Sequence, residues 1–596
     1  MARVIEEPAA SPAPGRVSAA RRALPRRSAL PAAVLGLVLL VAAALLYREM
    51  RGSTFWFDEW NWVIGRRGGG LSTYLEPHNQ HLSLVPIALY KLLFATAGLD
   101  QRWPYRLMVI AAHLSCVTLL WIYGTRRVGA WLALVPAVLL LGFGPGWQNF
   151  LWPFQVAWLV SLGAGLGALL LIERRDRRGD VAAAGLLGLG LSSSGLGLPM
   201  AVAVAVELLW RRADRARLWV VGAPLGLYVL WYLAYGQSSV IEANVVRVLR
   251  FGADAAAAAA GALAGLTGPA IPDVGGSLQW GRPLALAAVV VLVWRVVLAR
   301  GPTPRLAALV AGALAFWGLT ALSRVNIANP YESRYLYVGA LFILLIGLEL
   351  ARGVRVPPRS AALLVAVFAV VTVSNLGALH DGAKYLRRSS GNGAAELGAM
   401  ELARAQVRPE FIPDVFRLST VFAGAYFPAV AELGSAAPSA AELAAGPELA
   451  REAADVTLTR ISFERDGALV LPLAPPGADA PVPGAIPPVV DRAGGGRADT
   501  SGGCARYRPL GFRPARVPAL LELTVPAAGL VVTAGRDAPV RILVRRFAGR
   551  FSSPALGTLA PGASALLRFP ADAAAATPWH VRLVPSGAVS ACAARR

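Results

Sequence analysis

The sequence is short of cysteine, lysine and acidic residues, and each shortage narrows the class of protein. It has 3 cysteines in 596 residues and no CxxC or paired Cys/His spacing, which argues against a thiolate metal site. Lysine occurs only at Lys91 and Lys384, so arginine supplies nearly all of the positive charge. Charged residues make up 16% of the chain and hydrophobic residues 56%, which is too apolar for a soluble protein of this length.

The basic charge is spread along the chain rather than gathered in one patch. Lys and Arg number 58 against 35 Asp and Glu, and the arginines recur in short clusters between apolar segments. A single basic patch would favour a nucleic-acid partner, whereas clusters at the ends of apolar segments fix the orientation of membrane proteins. We therefore predict a polytopic α-helical protein of the cell membrane, with the lipid bilayer and no nucleic acid as partner.

The N-terminal region predicts which side of the membrane the chain starts on. Residues 1–28 are rich in Arg, Pro and Ala and are expected to be disordered. The apolar stretch 28–47 is long for a signal peptide, which is the competing interpretation, so we predict a retained first transmembrane helix. The arginines before it place the N-terminus in the cytoplasm.

Hydropathy and charge predict about eleven spans in a transmembrane domain at residues 29–377, which leaves the C-terminus outside. Residues 84–98 and 251–266 are expected to lie in the outer interface instead, and SSSGLGLP at 192–199 breaks a tight pair of spans. The predicted spans are residues 28–47, 105–123, 129–145, 154–172, two within 181–210, 218–235, 283–299, 304–322, 335–351 and 360–377.

The C-terminal third is more polar and predicts an extracytoplasmic α+β region. We expect a helical linker at residues 378–454 and a β-sandwich domain at 455–596, with a Pro/Gly/Ala-rich loop at about 474–500. Cys504 and Cys592 bracket the last strands and are predicted to form a disulfide, which requires an oxidising compartment. The predicted strands are VTLTRISF, ALVLPL, LLELTVP, GLVVTAG, VRILVRRF, SALLRF and WHVRLVP.

The first outer loop, residues 51–83, holds the strongest functional signal. Asp58 and Glu59 are adjacent among aromatic residues, and His78 and His81 follow them. Acids at a membrane face are costly to desolvate and tend to mark function, although solvated loop acids are the alternative. We take Asp58 and Glu59 as candidate catalytic residues.

Two further outer loops carry candidate binding residues. The loop at 144–155 combines aromatic rings with side-chain amides, which suits a sugar, and an interfacial aromatic belt is an equal alternative. The loop at 323–335 is polar and holds Arg324 and Arg334. The candidate acceptor or sugar contacts are His78, His81, Trp147, Gln148, Asn149 and Trp152.

The order of these features resembles the GT-C superfamily of membrane glycosyltransferases. That superfamily includes the protein O-mannosyltransferases, the lipid A aminoarabinose transferases and the mycobacterial arabinofuranosyltransferases. The matching features are the Asp58-Glu59 pair after the first span, the interfacial helix after it, the broken hairpin at 192–199 and the segment ESRYLY at 332–337. The resemblance covers residues 29–377.

The resemblance implies transfer of a sugar from a polyprenyl-phosphate donor to a hydroxyl of an envelope glycan, glycolipid or protein. Asp58 is then the general base, Glu59 holds water, acceptor or a neighbouring side chain, and Arg324 and Arg334 contact the donor phosphate. One segment departs from the aminoarabinose transferases, which have a Lys-Pro-Pro-like stretch after the acid pair. Here it reads EPHNQHLSLVP, residues 76–86.

The same residues bear on the presence of a cofactor and on two alternative functions. We predict no cofactor; a divalent metal is the alternative, since His78 and His81 are three residues apart, but no third ligand is evident. A transporter or lipid flippase would favour internal repeats and midplane charges, which the sequence does not show. A non-catalytic envelope protein that binds glycan is the remaining alternative.

The predicted orientation is tested by labelling single cysteines from outside the cell. In a background without other reactive cysteines, Gly70→Cys and Ala450→Cys should react with an impermeant reagent, and Arg177→Cys should not. The Arg cluster at 174–178 places that position inside. Labelling of Arg177→Cys from outside would contradict the whole topology.

Overall fold

The fold is described from a computed structural model that covers most of the chain. The predicted disordered segment 1–28 lies outside the described residues. The described residues are 29–238, 242–267, 278–354, 357–475, 477–478, 485–510, 518–551, 555–570 and 577–595.

The described part of the chain is helical up to Phe463 and mostly β-structure after it. The helices are α1 (Ala29–Glu49), α2 (Glu59–Gly65), α3 (Ser72–Leu75), α4 (Leu84–Ala97), α5 (Trp103–Val128), α6 (Leu134–Leu141), α7 (Gln148–Leu151), α8 (Val156–Leu171), α9 (Arg177–Leu191), α10 (Gly197–Trp210), α11 (Trp219–Tyr235), α12 (Val248–Leu263), α13 (Leu278–Leu298), α14 (Pro304–Arg324), α15 (Ser333–Leu350), α16 (Pro358–Leu402), α17 (Ala423–Leu433), α18 (Ala440–Ala445) and α19 (Glu448–Phe463).

Seven helices among the described residues are long and apolar enough to cross a membrane, as expected for a multi-pass protein. These are α1, α5, the stretch Pro153–Arg174 that contains α8, α13, α14, α15 and the part of α16 from Ala362. Each of the eleven predicted spans overlaps a helix, but α6 and α9 to α11 are shorter than the seven helices named above. The count of eleven and the orientation therefore stay predictions.

Helix α16 joins the apolar part of the chain to the C-terminal region without a break. It runs for 45 residues, and its first half exposes apolar side chains such as Leu363 and Val370 while its second half buries Leu386, Leu397 and Met400. The predicted domain boundary at residues 377 and 378 falls inside this helix.

The C-terminal region is an antiparallel β-sandwich, as the turn-separated strands predict. Its two five-stranded sheets have the orders β10-β7-β12-β5-β4 and β3-β6-β11-β8-β9, beside a small β1-β2 hairpin. The strands are β1 (Glu464–Arg465), β2 (Ala468–Leu469), β3 (Val489–Gly494), β4 (Gly496–Ser501), β5 (Cys504–Pro509), β6 (Leu520–Thr524), β7 (Leu530–Ala534), β8 (Val540–Arg545), β9 (Gly557–Leu559), β10 (Ser564–Leu567), β11 (His580–Pro585) and β12 (Val589–Ala593).

The expectation of a strand at VTLTRISF is wrong, because these residues end helix α19. The helix begins at Glu448 in a run of good helix formers, and this local preference outweighs the β-branched residues that follow. Leu458 and Phe463 pack into the core of the sandwich, and Asp455 accepts hydrogen bonds from the backbone N–H groups of three residues after β8, at 2.9 to 3.0 Å.

The predicted loop at 474–500 also ends earlier than expected. Strand β3 and most of β4 lie within it, and β4 is an edge strand with mainly exposed side chains. An edge strand with two solvated faces has no alternating apolar pattern, which is why the sequence does not reveal it.

The two C-terminal cysteines are joined by a disulfide in the structure. Cys504 of β5 and Cys592 of β12 are directly opposite each other in adjacent strands, and the bond closes a sequence separation of 88 residues.

Removing this bond should destabilise the C-terminal domain, because the unfolded chain loses a long covalent loop. We expect Cys592→Ser to lower the free energy of unfolding by about 2–5 kcal/mol. Chemical denaturation monitored by near-UV circular dichroism measures the change, and Cys116→Ser is a control for thiol loss elsewhere. Free thiols at both positions in protein from its native envelope would contradict the assignment.

Candidate functional site

The loop between α1 and α5 holds the acid pair, and the structure turns the two carboxylates to opposite sides. Asp58 is at the N-cap position of α2, makes no side-chain capping bond and is half-buried, while Glu59 is the first residue of α2 and has no exposed surface. Adjacent residues at a helix start point about 100° apart, so one side chain reaches the cavity described below while the other enters the core.

Glu59 is bound by donors from three parts of the chain. Its carboxylate accepts hydrogen bonds from the Trp56 backbone N–H at 2.9 Å, the Tyr90 hydroxyl at 2.8 Å and the Trp152 Nε1–H at 3.1 Å. The Arg102 guanidinium lies 3.9 Å away. Burial raises the pKa of Glu59, and Arg102 and the three donors oppose that rise. Glu59 therefore positions the loop and does not line the cavity.

A cavity of about 680 Å³ lies beside α2, and most of the polar candidates meet there. Asp58, His78, His81, Arg324 and Arg334 all line it. Residues that are up to 276 positions apart in the sequence thus share one site.

The segment 78–81 is a tight turn that joins Asp58 to Arg324. His78 and His81 exchange backbone hydrogen bonds of 2.9 Å, and Asn79 and Gln80 between them have φ values of 47° and 66°. Positive φ at both central residues defines a type I′ turn. The Asn79 side-chain amide donates to Asp58 at 3.5 Å, and Arg324 donates to the Asn79 carbonyl and the Gln80 side chain at 3.3 Å.

The titratable groups of the loop are shifted by burial. Burial raises the pKa of Asp58, although Arg334, the Asn79 hydrogen bond and Arg324 all lower it. Burial lowers the pKa of His78 to about 3 and that of His81 to about 4, and nearby arginines add to both shifts. Both imidazoles are therefore neutral at pH 7 and can donate and accept hydrogen bonds.

Arg334 is held at the start of α15 and lines the cavity. It forms an ion pair with Glu332, two residues before it. Arg324, at the end of α14, makes no ion pair with the described residues and contacts the turn through neutral oxygen atoms. An arginine with neutral partners keeps its charge available for an anionic ligand.

Helices α10, α11 and α14 contribute much of the remaining, apolar lining of the cavity. Two groups of lining residues were not among the candidates chosen from the sequence: Phe154 and Gln155, which end the loop at 144–155 just before α8, and Ser193 and Ser194 in the turn between α9 and α10. The side-chain amides of that loop were a usable signal for the first group, and the Gly-rich break at 192–199 for the second. The apolar lining residues of the three helices include Leu198, Leu225, Tyr228, Val229, Phe316 and Leu319.

The four residues predicted to contact a sugar from the loop at 144–155 do not line the cavity. Trp147, Asn149 and Trp152 are each at most 2% exposed, and the Gln148 backbone N–H donates to Ser333. Close packing draws the loop inward: a Cβ on Gly144 would lie 1.8 Å from the Asn375 carbonyl oxygen, so only glycine fits there. The Trp147 and Trp152 rings are therefore part of the packed core, and only the end of this loop, at Phe154 and Gln155, reaches the cavity.

A metal site is not evident in the described part of the chain. Its His, Cys, Asp and Glu residues include no group of three or more that would hold a metal ion. His78 packs edge-on against the rings of Trp62 and Phe154, at centroid distances of 5.5 and 5.4 Å.

Comparison with known proteins finds similar solved structures, two of which are structures of one protein. No family model and no curated protein matches the chain. Both structures are of ArnT from Cupriavidus metallidurans, one bound to undecaprenyl phosphate and one in the apo state. Each is 14% identical and covers 64% of this chain; they are covered over 81% and 82% of their own length, with TM-scores of 0.39 and 0.40.

The contact of His81 with Gly195 gives a test of the site's packing. A Cβ on Gly195 would lie 2.7 Å from the Cε1 and Nδ1 atoms of the His81 ring, so Gly195→Ala must displace the turn at 78–81. We expect a loss of about 1–3 kcal/mol in the free energy of unfolding.

The matched control is Gly185→Ala in the middle of α9, where an added Cβ meets no atom within 4 Å. That change should hold or raise stability by about 1 kcal/mol, because alanine is the better helix former. Thermal unfolding of both variants in detergent measures the difference. Equal midpoints for the two variants would contradict the packing described here.

Proposed function

We propose that this protein is a membrane glycosyltransferase that moves a sugar from a polyprenyl-phosphate donor to an acceptor hydroxyl of an envelope glycan, glycolipid or protein. The transfer takes place on the extracytoplasmic side. The proposal includes the predicted eleven spans, with the N-terminus inside and the C-terminal domain outside.

One observation carries the proposal: a carboxylate and two arginines face a single cavity whose other wall is apolar. Asp58 is the only carboxylate among the described residues that line it, and Arg324 and Arg334 are the only guanidinium groups there. An acid and a basic pair in one site match a reaction that takes a proton from one molecule and releases an anion from another.

The chemistry assigns a role to each group. A hydroxyl is a poor nucleophile, so Asp58 accepts its proton as the hydroxyl attacks the anomeric carbon of the donor. The bond from that carbon to the phosphate oxygen breaks, and the lipid phosphate leaves with its negative charge. Arg324 and Arg334 stabilise this charge by hydrogen bonds and without proton transfer. The reaction then needs no resident cofactor.

The apolar wall of the cavity suits a donor that carries a long lipid chain. Leu225 and Val229 of α11 and Leu319 of α14 line the cavity, and Val229 and Leu319 are also exposed on the surface of the helices. In a bilayer such side chains contact acyl chains. A prenyl chain can therefore lie along α11 and α14 while its phosphate reaches the arginines.

The neutral polar groups of the cavity suit a sugar. Gln80, Gln155 and Ser194 line it together with the two neutral histidines. Side-chain amides, hydroxyls and imidazoles match the donor and acceptor pattern of sugar hydroxyl groups. We propose that His78 and His81 bind substrate or orient the turn, and that Glu59 acts only by positioning α2.

Asp58→Asn tests the base directly. The change keeps the size of the side chain and the Asn79 contact but cannot accept a proton. We expect transfer from labelled polyprenyl-phosphate sugars by protein in nanodiscs to fall by roughly 10²- to 10⁴-fold, with little change in donor binding. Asp100→Asn is the matched control, because Asp100 is exposed in the same outer region and does not line the cavity.

Arg324→Ala and Arg334→Ala should instead weaken donor binding, slow the transfer step, or both. Arg51→Ala, an exposed arginine away from the cavity, is their control. A well-expressed Asp58→Asn protein with the wild-type transfer rate would overturn the assignment of the base. Lipid movement across the membrane without transfer would favour the transporter instead.

The pH dependence of transfer follows from the raised pKa of Asp58. The base works only when ionised, so activity should fall as the pH drops through a value above the ordinary pKa of an aspartate, about 4. Initial rates measured across the acid range give the midpoint. A midpoint at or below the ordinary value would contradict a buried base at this position.

A further inference from the structure

Phe57, the residue before Asp58, has a backbone conformation that its side chain makes costly. Its φ is 49°, in the left-handed region, where bulky residues are rare and glycine or asparagine is favoured. Of the six described non-glycine residues with positive φ, three line this one cavity: Phe57, Asn79 and Gln80. Strained conformations of this kind cluster at sites where a side chain must be held in place.

Packing does not explain why this residue is a phenylalanine. Phe55, Trp56 and Trp60 around it are at most 9% exposed, whereas Phe57 is 43% exposed. Its one ring contact among the described residues is with Trp56, at a centroid distance of 6.1 Å. Burial of the ring therefore contributes little to the fold.

The position of Phe57 in the cavity explains why this residue is a phenylalanine. Its ring lines the cavity, and its neighbour in the chain is the carboxylate of Asp58. Binding sites combine flat apolar surfaces with a few placed polar groups, and a sugar ring presents both an apolar C–H face and hydroxyl groups. An exposed aromatic ring beside a carboxylate and the Asn79 amide fits that ligand.

We propose that Phe57 is the platform on which a sugar ring lies during transfer, and that it contributes to specificity for a ring with an apolar face. This inference rests on the proposed glycosyltransferase function. The same chemistry fits the sugar of the donor and a sugar of the acceptor, and the experiment separates the two.

The test uses two substitutions in the full-length protein in nanodiscs. Phe57→Asn removes the ring and places a residue that tolerates positive φ, so the thermal midpoint should hold or rise while transfer falls by about tenfold, as for loss of one aromatic contact. Phe57→Tyr keeps the ring and should retain most of the activity. A residue with only a structural role would not lose transfer activity while the thermal midpoint of the protein holds or rises.

Phe422→Asn is the matched control. Phe422 is 45% exposed, does not line the cavity and precedes α17 at a position where asparagine caps a helix well. This variant should keep both the thermal midpoint and the transfer rate.

Measurements of donor binding and of the acceptor KM show whether Phe57 holds the sugar of the donor or that of the acceptor. The binding measurement also tests the role of Phe57 separately from the proposed function. If the platform holds the donor sugar, wild type should bind polyprenyl-phosphate hexose more tightly than bare polyprenyl phosphate, and Phe57→Asn should lose that difference. If it holds the acceptor, Phe57→Asn should raise the KM for the acceptor alone.

The outcomes divide cleanly. Transfer by wild type with unchanged kinetics in Phe57→Asn would overturn the platform and leave the proposed function standing. Sugar-dependent binding that Phe57→Asn abolishes, without transfer by wild type, would support the platform and overturn the glycosyltransferase. Loss of transfer and of thermal stability together in Phe57→Asn would overturn the platform as well.

Discussion

The site depends on one buried carboxylate. Glu59 accepts three hydrogen bonds inside the core, and these bonds fix the start of α2 against α4 and the loop before α8. An uncompensated charge in such a place would cost several kcal/mol, so the donors and Arg102 must all be in position for the loop to adopt this conformation. Once Glu59 is bound, the preceding residue has little choice of direction, and Asp58 faces the cavity.

The chain from the second half of α16 to α17 also contacts α2 and the residues just before it. The Trp56 Nε1–H donates to Ser389 of α16 at 2.9 Å, and Asn61 pairs with Thr420. The ring of Trp60 packs against Tyr426 of α17 at 5.7 Å. The loop with the acid pair is thus held between α4 and the loop before α8 on one hand and the second half of α16 and α17 on the other, which makes α16 and α17 part of the site's architecture.

Much of the architecture follows from the sequence, because hydropathy and charge act locally. Apolar segments become helices, the polar C-terminal region becomes a sandwich, and the cavity gathers Asp58, the histidine pair and both arginines. Hydropathy and charge do not predict that Asp58 lines the cavity while Glu59 is buried in the core. Two neighbouring acids look alike in the sequence, and the groups that distinguish them, Tyr90 and Trp152, are 31 and 93 residues away from Glu59.

The burial of the loop at 144–155 has the same cause. Its rings and amides match a sugar site by composition, but its position is set by close contacts with α15 and α16, such as those of Gly144 and Gly146. Local propensity also decided against the strand at VTLTRISF, since the helix from Glu448 continues through it. Distant packing contacts thus determine the position of the loop, and the helix preference of the preceding residues determines the structure of VTLTRISF.

In the proposed function, the bond between a sugar and a polyprenyl phosphate breaks in the cavity. Mass spectrometry of the lipid fraction, with purified protein in nanodiscs, a polyprenyl-phosphate sugar and an envelope acceptor, is the decisive measurement. We predict one free polyprenyl phosphate for each sugar transferred, and release that depends on the acceptor. Donor lipid that binds to the protein and stays intact in the presence of every acceptor would contradict it.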